Sequence, residues 1–155
     1  LSENKKLSKA AEERLKDMIK TGAFSHNVAT TTPGITNWSF VNNQGYKNPK
    51  NTEKNVGENL ARGFNDATST VEAWKKSPTH LENIKYPKYT DTGVSVMPGE
   101  KNGKPTYYVV QYFGTGDMST LPLSTTTPKI KATAFRPTSD GVLLQKPRSG
   151  LITLP

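Results

Sequence analysis

Cysteine is absent from this chain, which excludes disulfides, thiolate nucleophiles and cysteine-ligated metals. Stability therefore has to come from packing. No run approaches the roughly 20 apolar residues of a membrane-spanning helix, and no charged-then-apolar signal sequence stands at Leu1. Any export signal or lipid anchor is expected upstream, because the chain reads as opening in the middle of a helical pattern. There is no glycine-rich phosphate loop, so nucleotide binding is not expected, and no Gly-x-Ser-x-Gly. Histidine is scarce, with only His26 and His80.

Apolar residues make up only 32% of the 155. That suits one ordinary domain with a core drawn from part of the chain, plus a tail. The charge is +8, and residues 117–155 carry five Lys or Arg against two Asp. Such a balance favours polyanions such as a cell-wall polymer or anionic lipid, while solubility alone is the plainer reading. The lysines are scattered among acids and not clustered with aromatics, so nucleic acid is not an expected partner.

Leu7, Ala11, Leu15, Met18 and Ile19 recur at helical spacing and predict a first helix ended by Gly22. A short helix is expected over Thr36–Gln44, with Trp38 and Val41 on its buried face and Gly45 after it. The segment Lys47–Asn55 reads as a surface loop. Val56–Ala61 begins a compact motif, read as opening a helix at Gly57. After Gly63, the residues Ala67, Val71 and Trp74 mark another helix, capped by Asn65 or Asp66. Ser77-Pro78 has the chemistry of a fresh helix start, with His80 in its first turn and Leu81 and Ile84 facing inward. Tyr89–Met97 and Pro105–Phe113 read as strands joined by an Asn102-Gly103 hairpin turn. Helices first and a hairpin last indicate an α+β fold. Residues 1–116 are thus assigned to the domain and 117–155 to a Ser/Thr/Pro-rich basic extension, with short apolar runs at Gly141–Leu144 and Leu151–Leu154.

Phe24-Ser25-His26, Gly45-Tyr46, Gly57-Glu58-Asn59-Leu60-Ala61 and Trp74-Lys75-Lys76-Ser77-Pro78-Thr79-His80-Leu81-Glu82-Asn83-Ile84 follow one another in order. Tyr89-Thr90, Gly93-Val94 and Tyr108 to Gly114 complete the series. Together they resemble the CAP superfamily in its bacterial, cysteine-free branch, over about residues 1–114. The resemblance implies a three-layer α-β-α sandwich with a small, mostly antiparallel central sheet. It also implies an extracellular or cell-surface location and a central cleft holding histidines and acids. Members are implicated in binding sterols, lipids or other proteins, and a few have been proposed to be proteases. This chain departs from the family pattern where a second cleft glutamate stands three residues after the helix tryptophan; here that position is Ser77. The family's usual first helix is also missing and is expected upstream.

Both histidines fall in these motifs. Two imidazoles and a carboxylate form the ligand set of an open catalytic zinc site, so His26, Glu58 and His80 are candidate ligands for a divalent metal such as zinc or magnesium. The same three would carry a metal-dependent hydrolase, in which Glu58 is a ligand, a general base or the group that orients a histidine. Alternatively, His26, Glu58 and Ser77 or His80 form a satisfied polar network at the base of a cleft. Asn59 and Gln111 complete the set of cleft candidates, both with a structural reading beside the binding one. Ser25 next to His26 and Ser77 before His80 are weaker nucleophile candidates, and a helix-cap role accounts for Ser77. The reading adopted is a secreted module that binds a lipid- or sterol-like ligand or a protein partner. The rivals are the metal-dependent hydrolase and a surface-displayed protein adhering through its basic tail.

Overall fold

The computed structural model describes residues 1–28, 34–47 and 55–116. The extension 117–155, with its two apolar runs, and most of the expected loop at Lys47–Asn55 lie outside the described residues. In chain order the elements are β1 (Ser2–Glu3), α1 (Lys5–Thr21), α2 (Asn37–Asn43), β2 (Val56–Arg62), α3 (Ala67–Lys76), α4 (Pro78–Lys85), β3 (Asp91–Lys101) and β4 (Lys104–Gly114). The sheet runs β1-β3-β4-β2, with β1 parallel to β3 and the other pairs antiparallel.

The chain does not open inside a helix. Ser2–Glu3 pairs with β3, and α1 starts at Lys5, where the Asn4 side chain accepts from the Lys6 and Leu7 N–H groups at 2.9 and 3.4 Å. Gly22, at φ 68°, ends it as expected. Leu7, Ala10, Ala11, Leu15 and Met18 are wholly buried against the sheet. Approach is closest at Gly93, where a Cβ would stand 2.2 Å from the Ser8 backbone nitrogen. Asn102 and Gly103 both adopt positive φ, 54° and 73°, which is the primed turn that a two-residue hairpin requires.

Strand alternation then divides the core in two. Leu60, Tyr108, Val110 and Tyr112 join the α1 and α2 side chains on one face of the sheet. Ala61 and Val109 meet Trp74, with half-buried Phe64 and Ile84, on the other. The result is the expected α-β-α sandwich.

Three local expectations need correction. The Gly57 segment is a strand, not a helix, because both of its faces are covered and no polar face is left to reveal the two-residue period. On α3, Thr70 is buried and Val71 is 42% exposed; the Thr70 hydroxyl donates to the Asp66 carbonyl at 2.8 Å and so tolerates burial. On α4, Leu81 and Ile84 are half-buried while His80 and Asn83 are fully inside. That stripe is polar because it meets the edge of β2. There Asn83 Nδ2 donates to the Glu58 carbonyl at 3.2 Å, and Trp74 Nε1 donates to the Leu60 carbonyl at 3.0 Å. These side chains close an edge that would otherwise present open backbone.

Candidate functional site

Glu58 projects from β2 toward α1 and α2, opposite Tyr112 in the register, and is buried. Its Oε1 is 2.6 Å from His26 Nδ1 and 3.5 Å from Asn37 Nδ2, the first residue of α2. Its Oε2 faces Arg14 Nε at 3.4 Å. Burial alone would raise the Glu58 pKa, but the His26 hydrogen bond and the Arg14 charge outweigh it and hold the carboxyl below its ordinary range. With an anion on one side, His26 must donate from Nδ1. Burial, reinforced by the Glu58 charge, pushes the Tyr112 phenol well above its usual range; its hydroxyl donates to the Asn37 carbonyl at 3.1 Å.

Arg14 is the residue that sequence reasoning missed. It lies on the buried stripe of α1, and its side chain is only 2% exposed. The guanidinium bonds to the Ser25 carbonyl and to Asp17 Oδ2, the latter at 3.2 Å, while Nε faces Glu58. One cation therefore ties the backbone just before His26 to the carboxylate that His26 engages. The signal was present: Leu7, Arg14 and Met18 share one helical face, and a charge on an apolar stripe implies a buried partner.

His80 is wholly buried at the start of α4. Its Nδ1 is 2.7 Å from Ser77 Oγ, while its Nε2 has no hydrogen-bond partner among the described residues. Burial, with the nearby His26 charge adding to it, pushes the His80 pKa down to about 4. Ser77 stands at the N-cap with Pro78 after it, as expected, but its hydroxyl serves His80 rather than the helix backbone. The Ser25 hydroxyl accepts from Asn27 N–H at 3.1 Å, a local turn contact.

The structure therefore joins His26 to Glu58, joins Ser77 to His80, and brings the two pairs within electrostatic reach. Asn59 meets them only through the His80 backbone, and Gln111 hydrogen-bonds elsewhere. Both alternate onto the opposite face of the sheet from Glu58. Asn59 Nδ2 donates to the His80 carbonyl at 3.3 Å, and its Oδ1 accepts from Asn83 at 2.9 Å, locking α4 to the sheet. Gln111 Nε2 donates to Thr92 Oγ1 at 3.2 Å. A catalytic zinc centre needs three converging protein donors. Among the described residues no group of three or more His, Asp or Glu side chains is so placed. Glu58 occupies the place of a carboxylate that orients a histidine. No helix among the described residues is long and apolar enough to cross a membrane.

Two helical layers enclosing a mostly antiparallel sheet, with a buried His–Glu–Arg cluster where α1, α2 and β2 meet, define a CAP-type domain. The chain matches the family model for CAP, the cysteine-rich secretory protein family, over residues 1–113, and belongs to that family. Among solved structures it is similar to an outer surface protein from Borrelia burgdorferi. That likeness has 20% identity and a TM-score of 0.53, and covers 74% of this chain and 77% of that one, so it speaks to the fold. No curated protein matches the chain.

Proposed function

We propose that this is an exported or surface-displayed CAP module that binds a small lipid- or sterol-like ligand, or a protein partner, beside His26, and that it is not a hydrolase. Membership of a secretory family supports export, and the fold is shared with a surface protein. The observation that carries the non-catalytic reading is the state of Glu58. Its two oxygens face His26, Asn37 and Arg14, and its pKa is held low. A general base needs a pKa near the working pH and access to the proton it removes; Glu58 has neither. His80, with a pKa of about 4 and no exposure, is an equally weak base for Ser77.

The test uses the full chain in two arms. Hydrolysis of fluorogenic casein and a p-nitrophenyl ester, with and without added zinc or magnesium, is expected to stay at the buffer rate. Quenching of Trp38 fluorescence in a Trp74→Phe background, by a fluorescent sterol and by a fatty-acid probe, is expected to saturate for one of them. His26→Ala should weaken that binding about tenfold, the loss of one hydrogen-bonding contact. Turnover abolished by Glu58→Gln would overturn the reading in favour of the hydrolase.

A further inference from the structure

Lysine gathers at one end of the sheet. Ser2 lies opposite Asp91, Asp91 opposite Gly114 and Gly114 opposite Val56, so β1, β2 and β3 begin, and β4 ends, at that same end. Three further segments are held there by hydrogen bonds. The first turn of α1 follows β1 directly, with Asn4 N–H donating to the Thr92 carbonyl at 2.8 Å. The residues after α2 arrive through Tyr46, whose hydroxyl donates to Asp91 Oδ2 at 2.9 Å and accepts from Gly116 N–H at 3.1 Å. Lys6 Nζ donates to the Gly45 carbonyl at 3.0 Å and ties these two segments together. The turn between α4 and β3 closes the group, with Thr90 N–H donating to the Gly114 carbonyl at 2.9 Å.

Each of these segments delivers cations. Lys5 and Lys6 open α1, Lys47 follows Tyr46, Lys85 closes α4, and Lys88 stands three residues before Asp91. All but Lys6, which is half-buried, are exposed. The exposed carboxylates on the same described segments are Glu3 and Glu82, while Asp91 is buried and engaged by Tyr46. Five cations against two exposed anions, converging from three stretches far apart in sequence, give this end a positive field. The cations are all lysines. Ammonium groups on flexible stems act as point charges and fit a fluid array of phosphates, whereas a pocket built for one phosphate favours the fixed fork of arginine. Tyr86 lies between Lys85 and Lys88, half-buried, its ring packed edge-on against Tyr89 with 4.7 Å between centroids. A phenol with an apolar body and a polar tip beside ammonium groups suits the headgroup level of a bilayer; a soluble polyanion needs the charges alone.

We propose that this lysine-bearing end of the sheet docks on the surface of an anionic lipid bilayer. The test is co-flotation of the full chain with vesicles of phosphatidylcholine containing about one-third phosphatidylglycerol, against vesicles of pure phosphatidylcholine. The native chain is expected to bind only the anionic vesicles, and less as salt rises and the Debye length shrinks. A lysine close to an anionic surface contributes about fivefold to partitioning. Lys85→Gln/Lys88→Gln should therefore lower binding about 25-fold. Lys20 and Lys104 are exposed at the opposite end, where α1 stops and the hairpin turns. Lys20→Gln/Lys104→Gln removes the same charge and should change binding by less than about twofold. Failure of the native chain to bind anionic vesicles overturns the proposal. So does an equal loss in the two double variants, which would assign the attraction to net charge or to residues 117–155. Capture by soluble polyphosphate without binding to the vesicles overturns it as well, in favour of a polymer.

Discussion

His80 makes stability depend on pH in a window that no other shifted group shares. Its pKa lies near 4 in the folded protein, because burial disfavours the imidazolium and the His26 charge adds to that; unfolded, it returns to about 6.5. The unfolded chain therefore binds the extra proton first as pH falls, so acid favours unfolding. This stability is complete above pH 6.5 and declines as pH drops towards 4. The 2.5-unit separation limits the loss to about 3 kcal/mol, of which about 2 kcal/mol has gone by pH 5. The shifted carboxyls, Glu58 among them, have lowered values, so their contribution is present above about pH 4.5 and lost only below it. Urea unfolding at pH 7, 6 and 5 isolates the effect when native protein is compared with His80→Gln, whose amide keeps a partner for Ser77. The native curve is expected to fall by about 2 kcal/mol between pH 7 and 5 relative to the variant. Parallel curves over that range would refute the argument that His80 is buried in its neutral form.

Arg14→Met should cost about 3–5 kcal/mol, because it leaves Glu58 buried without its cation, and Arg14→Lys should not restore the loss, since an ammonium does not reproduce the planar fork. Chemical denaturation at pH 7 checks both, and a cost under 1 kcal/mol would show that Glu58 is solvated in some other way. Trp74→Phe keeps most of the packing but orphans the Leu60 carbonyl at the closed edge. A loss of about 1–3 kcal/mol is expected, measured as the shift in urea midpoint.

What was legible in the sequence depended on how local the governing physics was. The Asn102-Gly103 hairpin, the α3 cap at one of Asn65 and Asp66, and the Gly22 stop are readable because each rests on the conformational chemistry of one or two residues. β2 was not, since polar Glu58 and Asn59 occupy its two covered faces and each is satisfied by a partner distant in sequence. The same reversal governs α4, where His80 and Asn83 face a strand edge instead of an oily core. His26 and Glu58 came out of the family motifs, and the structure joins them directly. Arg14 signals itself only as a charge on an apolar helical stripe, while the identity of its partners, Glu58 and the Ser25 carbonyl, is not local. The motifs alone group Asn59 and Gln111 with Glu58. Strand parity places them on the opposite face, an inference available only once Val56–Arg62 is recognised as a strand.

The ionisation of Glu58 is the most direct test, because a locked anion orienting His26 and a general base or hydrolase acid differ in this one property. Side-chain carboxyl 13C shifts of the full chain, assigned with Glu58→Gln, should be followed from pH 3 to pH 8. Glu58 is expected to stay charged across the neutral range and to titrate below the ordinary glutamate range. A Glu58 titration centred near pH 6–7, where a catalytic acid or base works, would contradict it and return the cluster to the enzymes.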